Sequence, residues 1–158
     1  LWVFFLYKKL MIFSILLVLS TWLHIFSYGL KFRLNFGHVF FLSMLILRNI
    51  GVVEAIIFIL VSEYYPRFAN TDVDLKSLIL VPIEILLVLS LLIIKVEIVK
   101  IGIVLAIIYH IISFIVAKTL GDTLVEIMEE IGVSFVMNIV YFVSLSGPMI
   151  TLVSMVVR

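Results

Sequence analysis

Residues 38–62 read HVFFLSMLILRNIGVVEAIIFILVS. A transmembrane helix needs about 20 mostly apolar residues, with about 17–25 the usual range. This run meets that length only if Arg48 and Glu54 are tolerated inside it. Cut at those two charges, it leaves pieces of about ten residues, each too short to cross. The reading that follows is one helix carrying two charges at membrane depth.

Working outward, the stretches 10–30, 77–94, 101–117 and 131–157 are also long and apolar enough to cross. The expected fold is therefore all-α, a polytopic transmembrane helical bundle of five spans forming a single domain over residues 1–158. Lys8-Lys9 ahead of the first span imitates a signal peptide. The apolar run that follows exceeds the usual 7–15 residues and no small-x-small cleavage site ends it, so it reads as a retained span. The tight connection 95–100 makes the third and fourth spans an antiparallel hairpin. Thr71-x-x-Asp74 resembles a capping box that starts the third helix before its apolar run. The segment 118–130 interleaves Asp122, Glu126, Glu129 and Glu130 with apolar residues and holds a second capping pattern, Thr123-x-x-Glu126. It reads as a short amphipathic helix at the interface or extending the last span.

Composition agrees with the membrane reading. The chain is 65% hydrophobic and 13% charged, against roughly 45–50% and about 25% for soluble domains. A net charge of +1 with no basic patch excludes a nucleic-acid binder. The absence of cysteine excludes disulfides, iron–sulfur clusters and thiolate metal sites. No phosphate loop, zinc-protease or nucleophile-elbow motif is present, so no catalytic activity is expected of this chain alone. The 25 Ile against 4 Ala, with no Gln, are compatible with an AT-rich genome or a thermophile, and the expected location is the cell membrane of a prokaryote. With five passes the Lys and Arg residues divide five against five between the two sides. The acidic residues are lopsided and favour N-out, C-in.

Ionisable groups within a span cost about 2.5–3.5 kcal/mol each on insertion scales and usually face protein or a water cavity. Five occur here: His24, Arg48, Glu54, Glu84 and His110, with Asn138 as a neutral companion. At about 1.5 Å of rise per residue they sort into two layers. His24, Arg48 and His110 form a cationic or imidazole layer; Glu54, Glu84 and Asn138 form a carboxylate layer.

The carboxylate layer, with Arg48 as counter-charge, has the chemistry of a cation site or proton relay. Pro82 and Pro148 add to this by freeing the carbonyls of Leu78 and Ser144. The imidazole layer has the geometry for axial ligation of one haem b by His24 and His110, or for holding an anionic headgroup through Arg48. Arg48 and Glu54 project about 120° apart and differ by about 9 Å in height within one helix, so each needs a partner elsewhere. On that ground the leading expectation is an accessory subunit of a larger membrane complex, completed by other membrane subunits or by self-association. A small transporter or ion-conducting protein using Glu54 and Glu84 is the alternative, and a haem-b anchor the third. Lipid is the expected companion in every case.

Overall fold

A computed structural model describes residues 2–28, 36–94 and 96–157. The end of the expected first span (29–30), most of the connection 31–37, Lys95 and Arg158 lie outside the described residues. The described residues form a helical bundle without strands: α1 Trp2–Tyr28, α2 His38–Asn49, α3 Val52–Ala69, α4 Leu75–Leu89 with a 3-10 turn at Ser90–Leu92, and α5 Ile98–Leu120. The chain ends in one long helix made of α6 Leu124–Ile127, α7 Val133–Val140 and α8 Ser146–Val157, joined by π turns at Met128–Gly132 and Tyr141–Leu145. Four helical stretches are long and apolar enough to cross a membrane: Tyr7–Ser27, Leu75–Leu92, Ile98–Leu120 and Leu124–Val153.

The stretch 38–62 is two helices, not one, and its two charges mark the break. Arg48 lies in the last turn of α2 and Glu54 in the first turn of α3. There the negative end of one helix dipole meets a cation and the positive end of the next meets an anion. Asn49 closes α2 by donating from its side chain to the Leu45 carbonyl (2.8 Å). The backbone N–H groups of Ile50 and Gly51 both turn back to Ile46 O (2.8 and 3.1 Å). α3 then returns antiparallel to α2: His24 and His38 approach each other beside Ser62, near the far end of α3.

The length argument fails on both halves of this hairpin. α3 runs 18 residues, well past Ser62 and through Pro66, or about 27 Å. α2 needs no full crossing, because it is enclosed by protein instead of lipid. Val39, Phe40, Phe41, Met44, Leu45, Ile46 and Leu47 are all buried, as expected of a helix apolar all round. Around this central half-helix the other elements turn narrow inner faces. On α1 that face is Ile12, Ser20, His24 and Ser27, spaced three to eight apart, while Leu10, Ile15, Val18, Leu19 and Trp22 face outward. Gly102 and Ala106 on α5 give room to the Phe142 ring, into which a Cβ at Gly102 would run.

Three further expectations are refined. Of the two readings of 118–130, the one that extends the last span holds: α5 is capped by Gly121 (φ 96°), and the Thr123–Glu126 capping box opens the last helix directly. The third span begins two residues before its apolar run, but Asp74 is itself the N-cap, accepting from Ser77 N–H at 2.8 Å, and Thr71 lies outside. Finally, the hairpin reverses the chain direction once more than a single helix over 38–62 would. α1 and α3 run up, α2, α4 and the last helix run down, so Lys8 and Met155 lie at the same end. The N-out, C-in expectation depends on an odd number of crossings, which labelling from the two sides of a membrane tests.

Candidate functional site

The upper half of the bundle, toward the α3–α4 and α5–α6 connections, is closed by ion pairs. Arg67 on α3 reaches Glu63 one turn back (3.3 Å) and Asp74 at the start of α4 (3.7 Å). Lys76, one residue into α4, holds Asp122 (2.9 Å) and Glu130 (2.6 Å), tying α4 to the last helix. Burial acts to raise the Asp74 carboxyl. Hydrogen bonds from Ser77, with Arg67 and Lys76 close by, outweigh it and hold that carboxyl below the usual aspartate range.

Beneath this cluster is a cavity of about 30 Å³, bounded by Glu63, Arg67, Lys76, Tyr109, Ser113, Glu130 and Ser134. One water needs about 10–15 Å³ and two to four polar partners, so the space suits a pair of waters. Tyr109 stacks on Phe40 of the central helix (5.2 Å between centroids). It lies within electrostatic reach of both Glu63 and Glu84.

Glu84 sits about 12 Å along α4 from Lys76. It is 2% exposed, and its Oε1 has no hydrogen-bond partner. Glu63 and Arg67 on α3 act on it electrostatically. Further along the same face come Val88 on α4 and Leu91 in the following turn, both buried and apolar.

Two histidines flank Glu63 on the α1 side. His24 donates from Nδ1 to Ser62 O (2.8 Å), and His38 donates from Nε2 to Ser20 O (3.1 Å). Their rings meet edge to face with centroids 6.4 Å apart. The Nδ1 of His38 and the hydroxyls of Ser20 and Ser62 are buried without hydrogen-bond partners. On the opposite side His110 donates from Nδ1 to Ala106 O (2.7 Å), leaving Nε2 to accept from the Ser134 hydroxyl (3.1 Å). Asn138 donates to Ser134 O (3.1 Å), and its Oδ1 is unpartnered. Gly37 enters α2 with φ +62° against Ser134 and Asn138, where a Cβ would collide with both.

Of the residues singled out by sequence, Glu84 and Asn138 are in the buried interior, whereas Arg48 and Glu54 belong to the α2–α3 turn at the other end. Arg48 is exposed and donates to Val96 O (2.9 Å). The Glu54 carboxylate lies against Gly51, at the N-terminus of its own helix. The carboxylate that companions Glu84 is Glu63, about 13 Å further up α3 than Glu54. His24 and His110 have separate surroundings, His24 with His38 and His110 with Ser134. Among the described residues no group of three or more His, Asp or Glu side chains could hold a metal ion. Pro82 leaves α4 unbroken. Pro82 and Leu78 lie on its exposed face, away from Glu84, and Ser144 is exposed likewise. Glu63, Arg67, His38 and Lys76 went unread because they fall at or beyond the edges of the expected spans. The Glu63-x-x-x-Arg67 pair at helical spacing was the available signal that the helix continues.

Taken together, fold and site define an all-α membrane helical bundle with buried ionisable side chains below an ionic cluster at one end. Comparison with family models, with curated proteins and with solved structures finds no match for this chain.

Proposed function

We propose that the protein is a small membrane transport protein in which the Glu84 carboxyl takes up and releases a proton inside the bilayer. The observation that carries this reading is Glu84 itself, a carboxyl 2% exposed with Oε1 unpartnered, three residues along α4 from Val81, which lines the water-sized cavity beneath the ionic cluster. An isolated carboxylate out of water is costly, so charge at Glu84 calls for a cation. A proton is the one a lone carboxyl can hold, since a single carboxylate oxygen binds it. Tyr109, Glu63 and the His24–His38 pair supply hydroxyl, carboxylate and imidazole groups for transfer toward the surface. At that surface Asp72, Asp74, Asp122, Glu126 and Glu129 concentrate cations.

The accessory-subunit reading is the second one; Arg48 and Glu54, at helix ends within the chain, do not by themselves call for a partner. In proteoliposomes carrying a pH-sensitive dye and an imposed potassium-diffusion potential, the wild-type chain should admit protons. Glu84→Gln should reduce the rate at least tenfold, and Glu54→Gln, at the far end, should leave it within about twofold. Unchanged flux in Glu84→Gln would refute the reading. Absence of flux until a co-purifying subunit is added would restore the accessory one.

A further inference from the structure

At the opposite end of the bundle from the ionic cluster, a groove of about 440 Å³ opens between the end of α2 and the end of α4. Its wall carries the aliphatic side chains of Leu47, Leu91, Leu92 and Ile94, with Arg48 the one charged group among the described lining residues. Arg48 is held in place on two counts: it lies in the last turn of α2, where the helix dipole favours a cation, and it donates through Nη1 to Val96 O. That bond uses one of five guanidinium donors, so the planar fork retains donors for a second acceptor. The level is set by Val96, which follows the last turn of α4 and precedes α5, the position where helices leave the hydrocarbon. Leu92 and Ile93 beside it are exposed. The acid nearest in sequence to Val96, Glu97, is already opposed by Lys100 at 3.5 Å.

We infer that this groove binds an anionic phospholipid, its phosphate on the Arg48 guanidinium and an acyl chain along Leu47, Leu91 and Leu92. The pairing of one pre-positioned bidentate cation with an otherwise aliphatic trough matches that amphiphile. It does not match a free anion, which would gain nothing from the trough, or a zwitterionic lipid, whose own ammonium competes for the phosphate. The site is independent of Glu84 and of the transport reading.

Native mass spectrometry of the detergent-purified chain, titrated with phosphatidylglycerol and with phosphatidylcholine, tests this. The wild type should retain phosphatidylglycerol selectively, and Arg48→Ala should weaken that retention roughly tenfold. Arg48→Lys should fall between, since a point charge lacks the fork. Leu92→Trp, which keeps the charge and obstructs the trough, should also reduce binding, and it serves if Arg48→Ala fails to fold. Equal retention of the two lipids, or full retention in both Arg48→Ala and Leu92→Trp, would overturn the proposal. Displacement of the lipid by millimolar inorganic phosphate would also overturn it, in favour of a free-anion site.

Discussion

Glu84 is where stability and function pull against each other. A buried oxygen left without a partner costs about 1–3 kcal/mol, and replacing such a group by an apolar one of similar shape is neutral or favourable. Glu84→Leu should therefore keep or raise thermal stability in detergent, by up to about 3 kcal/mol, while abolishing proton flux. Clear destabilisation would mean that the carboxyl is holding the bundle together and is not held in reserve for a proton. Asp74 shows the opposite logic, a carboxylate kept charged for structure. Its folded-state value is depressed, so its contribution is complete above the ordinary aspartate range and is lost as pH falls through the lowered value. Asp74→Ala should cost about 1 kcal/mol at neutral pH by removing the N-cap of α4. That difference from wild type should shrink on acidification, as measured by thermal unfolding across pH.

At the level of elements, the central half-helix α2 organises the rest. Met44 is wholly buried in it, and Met44→Ala should destabilise by about 2–5 kcal/mol. Met11→Ala, on the exposed face of α1, should stay within about 0.5 kcal/mol; denaturant titration in detergent distinguishes the two. The same element shows what the sequence could and could not convey. Long uninterrupted apolar runs made α1, α4, α5 and the last helix legible, and the Thr123–Glu126 capping box formed as its spacing required. α2 and α3 were misread because Arg48 and Glu54 count as buried charges in one continuous helix. They count as matched end charges once the chain is allowed to stop at Asn49 and restart at Val52. Length alone could not choose, since it assumes that each helix must face lipid. α2 is exempt because the other elements enclose it, a fact of packing that no local window contains. The site was half legible for the same reason. Depth along a span located Glu84 and Asn138, but the hairpin exchanges Glu54 for Glu63 as the companion carboxylate.

For the whole molecule the hairpin fixes the arrangement of the ends. Because the chain has no cysteine, single introduced cysteines report sidedness without background. Lys8→Cys and Met155→Cys should react with an impermeant maleimide from one side of sealed vesicles, and Asp72→Cys from the other. Opposite labelling of positions 8 and 155 would mean that 38–62 crosses once after all. The two ends of the bundle also differ in chemistry: an acidic mouth with the ionic cluster and cavity at one, Arg48 and its aliphatic groove at the other. That polarity suits a protein that gathers protons on one side and is seated among lipid headgroups on the other.

The central claim, that Glu84 exchanges a proton within the membrane, is tested most directly by infrared difference spectroscopy of the reconstituted chain between two pH values. The C=O band of a neutral carboxyl shielded from water should change with pH and be missing in Glu84→Gln. A wild-type difference spectrum that Glu84→Gln leaves unaltered would contradict it.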